Sequence, residues 1–354
     1  MTKKICMIFG TRPEIIKVAP IIKILSKKKI PFFTIHSGQH YDQKMSEIFF
    51  KELKLKKPDY NLGLGKKTRN DNFIIFLAKE TEKILILRQP EIVIVQGDTN
   101  TSLGGAIAVK KFNKKFKKKI KLAHVESGLR SYDYRMPEEL NRTLIDHMSD
   151  FLFPPTILQE KILENEGISK KKIFTVGSTI SDSLKSMNLK KTKISNRILL
   201  TIHRHENTNN KKIILSIINN INKIILKNRF KVNFFCHPKT LKIIEKYKIK
   251  LNSKIKIKNP TNYKSFLNEI IKSKIIISDS GGIQEEACIL KKNLITIRKT
   301  TERPETEILN CNFVSLNFSK IQKRISYLKK NTIKWKSPYG KKVAEKIVKI
   351  LIKN

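Results

Sequence analysis

Short β-branched runs recur along this chain, and helical stretches separate them. That alternation permits few folds, because parallel strands need long crossover connections, and in βαβ units the crossover is a helix. Candidate strands are Ile5–Phe9, Phe32–His36, Ile92–Gln96, Lys121–Val125, Ile173–Val176, Ile198–Ile202, Val232–Cys236, Lys274–Ser278 and Leu294–Ile297. The expected class is α/β, with two Rossmann-like, doubly wound parallel sheets; 354 residues suffice for two buried cores. Around Ser183–Arg197 the sequence turns polar and lysine-rich, loses its apolar period, and then begins a new strand–loop–helix series. We read an N-terminal domain over 1–182, a linker over 183–197 and a C-terminal domain over 198–354. The last helix, about Gly340–Ile352, suits packing on either domain. Ligands of doubly wound sheets gather at the carboxyl ends of the strands, so a cleft that both domains face is the expected site.

With 40% hydrophobic and 29% charged residues the composition is globular. No apolar run approaches the roughly 20 residues of a membrane span. The opening stretch Lys3–Gly10 is too short for a signal-peptide core and reads as a first strand. Cys6, Cys236, Cys288 and Cys311 lie far apart with no Cys-x-x-Cys pair. That argues against a metal site or a disulfide framework and makes a reducing cytoplasm the simplest home. A formal net charge of +44 would attract nucleic acid or an anionic membrane. Yet the lysines spread along the whole chain, with local runs such as Lys114–Lys119, and form no nucleic-acid-binding motif. Solvated lysine-rich faces are therefore favoured over a nucleic-acid role.

Neither Gly-x-Gly-x-x-Gly nor the Walker pattern occurs, so no tightly held dinucleotide and no ATP hydrolysis are signalled. The chemistry must come from side chains at strand ends. Gly10-Thr11-Arg12-Pro13-Glu14 leads into a helix with Pro13 in its first turn. Arg12 and Lys17 then crowd the positive end of that helix, a conflict a bound phosphate would relieve; two solvated cations beside a capping turn is the plainer alternative. Pro20 is expected to kink or restart the helix. Asp98, in Gly97-Asp98-Thr99-Asn100, suits either a helix N-cap or a catalytic carboxylate. Glu126 follows the strand Lys121–Val125, and Glu138 and Glu139 open a helix, flanked by Arg130 and Arg142. Such carboxylates can act as acid and base with separately tuned pKa values, and equally Glu138 can pair with Arg142 four residues on.

In the second half His203-Arg204-His205-Glu206-Asn207 ends a strand, where His and Arg can protonate or neutralise a phosphate; the ligand set is too poor for a metal. His237-Pro238 reads more simply as a strand terminator. The run Ser278–Glu286 passes from a strand through the pair Gly281-Gly282 into a helix. Free amides there suit a diphosphate, and Glu286, one turn in, is placed to accept hydrogen bonds from a ribose diol. A plain tight turn with acidic helix-start residues is the alternative. Thr301–Glu305 repeats the Arg-Pro-Glu arrangement, with Arg303 as a cation beside an anion site.

Gly-Thr-Arg-Pro-Glu at 10–14, Gly-Asp-Thr at 97–99, His-Val-Glu at 124–126, Pro-Glu-Glu at 137–139, Asp-Ser-Gly-Gly at 279–282 and Thr-Glu-Arg-Pro-Glu at 301–305 occur in that order. With these, the chain resembles the non-hydrolysing UDP-N-acetylglucosamine 2-epimerases from Ile5 to about Glu307. The resemblance implies two Rossmann-like domains of the glycosyltransferase-B type, a UDP-sugar substrate, no nicotinamide cofactor and a homodimer. It puts Asp98, Glu126, Glu138 and His203 at catalytic positions. Arg12, Lys17, Ser280, Gly281, Gly282, Glu286 and Arg303 match UDP-sugar contacts, and we group Arg142 with them. Gly177-Ser178 stands where many relatives carry Gly-Asn. Gln39, His40 and His237 match a second, allosteric UDP-sugar site, against which Asp42 argues, since Gln is usual there.

The implied reaction inverts C2 of a UDP-bound 2-acetamido sugar, interconverting UDP-GlcNAc and UDP-ManNAc. UDP is eliminated to leave 2-acetamidoglucal and is then added back. The competing readings are an epimerase of a related sugar such as UDP-2,3-diacetamido-glucuronate, a glycosyltransferase of the same architecture and, outside enzymes, a nucleic-acid-binding module.

Overall fold

Two six-stranded, wholly parallel sheets organise the protein. The computed structural model describes residues 3–39, 43–67, 72–190, 192–259 and 261–354. One compact unit comprises Met1–Ser186 and Pro338–Asn354, the other Met187–Ser337. In the first, β1 (Ile5–Phe9), β2 (Phe32–His36), β3 (Tyr60–Asn61), β4 (Ile92–Gln96), β5 (Lys121–Val125) and β6 (Phe151–Phe153) lie in the order β3-β2-β1-β4-β5-β6. The helices are α1 (Arg12–Lys27), α2 (Gln43–Glu52), α3 (Leu64–Lys67), α4 (Phe73–Arg88), α5 (Asn100–Lys115), α6 (Pro137–Met148), α7 (Ile157–Asn165) and α8 (Ile180–Ser186). β1 and β4 are buried along their whole length, as parallel strands covered on both faces must be. The strand order runs outwards from this adjacent pair, so the loops leaving β1 and β4 diverge and open a crevice at their carboxyl ends.

The second unit repeats the plan. β7 (Ser195–Thr201), β8 (Lys231–Phe235), β9 (Ile255–Lys258), β10 (Ser273–Ser278), β11 (Asn293–Thr296) and β12 (Asn312–Val314) lie in the order β12-β11-β10-β7-β8-β9. Its helices are α9 (His205–Thr208), α10 (Lys211–Asn228), α11 (Pro238–Lys246), α12 (Tyr263–Lys272), α13 (Gly281–Ile289), α14 (Pro304–Ile308) and α15 (Phe318–Lys330). α10 buries Ile214, Ile217, Ile218, Ile221, Ile224 and Ile225, a stripe at helical spacing that forms one side of this core. Here the crevice opens at the ends of β7 and β10.

Three expectations from the sequence are revised. The strand anticipated at Ile173–Val176 reduces to a single bridge from Ile173 to Leu152, and β6 supplies the pairing with β5 instead. Pro20 does not restart α1: the helix runs through, and the Ile16 carbonyl that Pro20 cannot serve accepts from Ser183 Oγ at 2.6 Å. The connecting stretch is shorter than 183–197, because α8 continues to Ser186 and β7 starts at Ser195.

The chain's last helix, α16 (Val343–Lys353), packs on α1 and α8 and so belongs to the first unit, which ends the second at Ser337. Ser178 N donates to the Tyr339 carbonyl at 2.9 Å, and Asp182 Oδ2 accepts from Ala344 N at 2.8 Å at the start of the helix. Gly177, at φ 108°, is required there, since a Cβ would lie 2.3 Å from the Tyr339 carbonyl oxygen. Among the described residues no helix is long and apolar enough to cross a membrane.

Candidate active site

At the first crevice the loop after β1 is held by its own carboxylate. Gly10 N and Thr11 N donate to Glu14 Oε2 at 3.0 and 2.7 Å, and Thr99 Oγ1 and Ser102 Oγ donate to Glu14 Oε1 at 2.8 and 3.1 Å. Glu14 thus ties the loops after β1 and β4 together. Burial pushes its carboxyl up from the ordinary range, and the hydrogen bonds from Thr99, Thr11 and Gly10 restrain that rise. The anion that the start of α1 favours is therefore supplied by the protein. Lys17 finds its anion internally too: it is buried and ion-paired with Glu126. Arg12 sits half-buried at the first position of α1.

Glu126 directly follows β5 with φ 70°, in the left-handed region, where a side chain with a Cβ costs about 1–2 kcal/mol. Lys17 Nζ and Gln96 Nε2 both donate to its Oε2, so the strained residue has its carboxylate clamped as well. Asp98 is not the N-cap of α5. Thr99 takes that role, accepting from Ser102 N at 3.1 Å, and leaves the Asp98 carboxylate to pair with buried Arg142. The Asp98 side chain stays 29% exposed, enough to meet a ligand.

The two acidic residues that open α6 divide the work. Glu139 is fully buried and accepts from Ser131 N, Ser131 Oγ and Tyr132 N at 3.0, 2.7 and 3.0 Å, pinning the loop after β5. Glu138 is exposed, and its carbonyl accepts from Arg142 Nε at 3.2 Å. Arg142 therefore joins Asp98 to the helix start that carries Glu138. Behind them lies a buried network that sequence reasoning missed. His124 Nε2 donates to the Gly97 carbonyl at 2.9 Å and its Nδ1 meets Asp146 Oδ1 at 2.7 Å, while Asp146 also holds Arg130 and Gly128 N. It fixes the turn before Asp98 and the turn after Glu126. Burial alone would raise the Asp146 pKa, but the charges and hydrogen bonds of His124 and Arg130 hold it below the ordinary value.

At the second crevice His203 Nδ1 lies 3.1 Å from Asp279 Oδ1, and the His203 and Arg204 amides donate to Asp279 Oδ2 at 3.1 and 3.0 Å. Asp279 is fully buried. Burial would raise its pKa, but His203, the Arg204 amide and Asn207 together hold it low. The imidazole is 45% exposed, with Nε2 the nitrogen that Asp279 does not engage. Ser280 is the N-cap of α13 without a side-chain cap bond, so the first amides of the helix are left for another acceptor. A Cβ on Gly282 would meet nothing within 4 Å, whereas one on Gly281 would lie 2.3 Å from Glu302 Oε1.

Arg303, expected as a cation beside an anion site, is also engaged within the protein. Its Nη1 lies 2.7 Å from Glu302 Oε1 and its Nη2 3.1 Å from Glu285 Oε2, so it braces the glycine pair from behind through Glu302. Glu286 accepts from the Tyr263 hydroxyl at 2.7 Å. Of the residues matched to a second sugar site, His40 lies outside the described residues. Gln39 Oε1 accepts from Thr101 N and Oγ1 at 3.1 and 2.7 Å, and His237 caps α11 by accepting from Lys239 N at 3.2 Å, so both have local structural work. Among the described residues no group of three or more His, Cys, Asp or Glu is arranged to hold a metal ion.

Glu14, Gln96, His124, Asp146 and Asp279 are thus parts of these sites that the sequence reading did not assign. Apart from Asp146, which lies in the last turn of α6, their shared signal is a polar residue at or near the end of an apolar strand, or in the first turn of the helix that follows. Comparison with known proteins bears on the whole assembly. The profile of the UDP-N-acetylglucosamine 2-epimerase family matches residues 23–352. The UDP-N-acetylglucosamine 2-epimerase of Methanocaldococcus jannaschii is 43% identical, with 98% of each chain covered. The UDP-2,3-diacetamido-2,3-dideoxy-D-glucuronate 2-epimerase of Pseudomonas aeruginosa is 36% identical, covering 87% of this chain and 86% of that one. The crystal structure of the M. jannaschii UDP-GlcNAc 2-epimerase in complex with UDP-GlcNAc and UDP superposes with a TM-score of 0.89 at 41% identity, over 99% of this chain and 100% of that one. With the strand order, the loops after β1, β4, β7 and β10 and this extent of likeness in agreement, the chain belongs to the UDP-N-acetylglucosamine 2-epimerase family.

Proposed function

We propose that this protein interconverts UDP-N-acetylglucosamine and UDP-N-acetylmannosamine without hydrolysis. The observation that carries the proposal is the Asp98–Arg142 pair: a carboxylate released from capping by Thr99, partly exposed, and fixed by a buried guanidinium. C2 of the sugar bears no acidic hydrogen, because its neighbour C1 is an acetal carbon. Breaking the C1–O bond first develops positive charge at C1, which acidifies the C2 hydrogen. UDP departs with the bonding pair, a carboxylate takes the C2 proton, and 2-acetamidoglucal remains. Addition of UDP to C1, with a proton delivered to the opposite face of C2, completes the inversion.

Asp98, Glu126 and Glu138 serve collectively as the acid–base groups, with Lys17 and Gln96 orienting Glu126. The uncapped amides of α13 and the outward edge of His203 receive the diphosphate. Arg12 adds positive charge to the departing group, while Lys17 and Arg303, engaged by Glu126 and by Glu285 and Glu302, act by holding the site in shape. A homodimer belongs to the same reading and is tested by light scattering.

The deciding experiment incubates the protein in deuterium oxide with UDP-GlcNAc alone and resolves C2 epimers by NMR. The expected product is UDP-ManNAc carrying deuterium at C2 and no free sugar. A product that keeps its original hydrogen, or turnover only when an acceptor is added, overturns the proposal. Parallel incubation with UDP-2,3-diacetamido-glucuronate separates the two sugar specificities seen among the relatives.

A further inference from the structure

Buried cations in this protein come with a counter-charge, with one exception. Lys17, Arg130, Arg142, Arg298 and Arg303 are buried, and each meets a carboxylate. Lys292 is 6% exposed, yet among the described residues its ammonium donates only to the Ser273 carbonyl, at 3.2 Å. Lysine is rarely buried without an ionic partner, because loss of hydration disfavours its charged form. Burial accordingly lowers the Lys292 pKa.

Lys292 lines a cavity of about 550 Å³ at the amino ends of β7, β10 and β11, together with Lys274, Lys291 and Lys329. Among the described residues no Asp or Glu lines it. Backbone carbonyls tether these cations: Lys274 Nζ donates to the Lys329 carbonyl at 2.6 Å, and Lys291 Nζ to that of Trp335. A carbonyl fixes the direction of an ammonium without cancelling its charge, and an ammonium carries more donors than one carbonyl uses. β7 and β10 fall out of register here, so that Asn196 and Arg197 stand against Lys274 alone, and Asn196 and Lys274 both line the cavity. Such irregularities are common beside binding sites, where they re-aim side chains. Leu328 and Ile333 give the cavity an apolar side, and its size is that of a small-molecule pocket.

We infer that this cavity binds a small organic phosphate, with Lys274, Lys291 and Lys292 around the phosphoryl oxygens and the organic part against Leu328 and Ile333. The site is separate from the crevice that holds the start of α13. It lies at the other end of β10, whose six residues span roughly 17 Å.

The chain's single tryptophan supplies a local reporter, since Lys291 Nζ lies 5.6 Å from the centre of the Trp335 ring. The test titrates n-butyl phosphate, which does not absorb in the near ultraviolet, against Trp335 fluorescence. A saturable change with a Kd below about 1 mM is expected, with inorganic phosphate about tenfold weaker for want of an apolar part. Lys292→Met and Lys274→Gln should each weaken butyl phosphate by about tenfold, as loss of a hydrogen bond to a charged group does. Lys114→Gln, at an exposed lysine of the other unit, should leave it within about twofold and so controls for the general positive charge. UDP affinity by calorimetry should stay within about twofold in every variant and in the presence of butyl phosphate, which also reports folding. Should Lys292→Met fail to fold, Lys274→Gln, partly exposed near the start of β10, carries the same prediction. No saturable change up to about 10 mM, or equal losses in Lys114→Gln and the cavity variants, or no loss in the cavity variants, overturns the inference. Competition between butyl phosphate and UDP overturns the separateness of the site, and inorganic phosphate binding as tightly overturns the organic part of the ligand.

Discussion

The two sheets share one plan, yet the crevices at their strand ends are furnished differently. In the first unit the loops carry ionised side chains already in pairs, Lys17 with Glu126 and Arg142 with Asp98, and one of those residues sits in a strained backbone conformation. In the second the loop after β10 offers backbone amides and two glycines, and its carboxylates face inwards, Asp279 to His203 and Glu285 to Arg303. The difference suits a division of labour. Proton transfer needs charged groups held at fixed angles, whereas gripping a diphosphate needs donors that leave room for it.

The contrast is broken most directly at Asp98. Asp98→Asn keeps the shape and removes the base, so turnover should fall by about 10³-fold or more while UDP affinity stays within about twofold. Calorimetry and the NMR epimer assay on one preparation check both halves, and near-normal turnover removes Asp98 from the chemistry. Lys17→Met comes next. It strands Glu126 without its cation, so turnover should fall by about 10²-fold and chemical denaturation should show a loss of about 3 kcal/mol, the lower end for breaking a buried pair.

On the other side the glycines sharpen the comparison. Gly282→Ala adds a methyl where the protein leaves space, so the melting temperature should hold while UDP binds about tenfold more weakly. Gly281→Ala drives its methyl into Glu302 Oε1 at 2.3 Å and should lose stability as well as binding. If both variants melt like the wild type, the bracing role given to Arg303 and Glu302 is wrong.

The smallest effect is in acid. The Asp279 pKa is depressed in the folded state, so below the ordinary value of about 3.9 the unfolded chain binds more protons and stability rises with pH. The contribution is therefore fully present above that value and disappears as the pH falls through the folded pKa. The deficit in melting temperature of Asp279→Asn should be constant from neutrality to about pH 5 and shrink below about pH 4. A deficit that grows in acid contradicts the sign.

How legible all this was depended on position within the sheet. The strands with a neighbour on each side, β1, β2, β4, β5, β7, β8, β10 and β11, stand out as apolar runs because both their faces are covered. The four that were missed, β3, β6, β9 and β12, are the four edges. Edge strands are short and tolerate charge: β9 reads Ile-Lys-Ile-Lys within a lysine-rich stretch, and β6 is only three residues long and is followed at once by a pair of prolines. Pro20 misled for a related reason, since the hydroxyl that rescues the Ile16 carbonyl comes from 167 residues away.

The sites follow the same rule. Local sequence determined that there would be polar loops after β1, β4, β7 and β10, with a glycine pair and capped helices behind them, because periodicity, turn chemistry and capping act over a few residues. Tertiary structure decided which charge meets which: Thr99 rather than Asp98 as the cap, Glu139 rather than Glu138 as the buried anchor, Lys17 on Glu126 across 109 residues and Tyr263 on Glu286 across 23. Those pairings depend on which strand ends lie side by side. Only the order of strands in each sheet settles that, and strand order arises from packing at long range, which no short window of sequence contains.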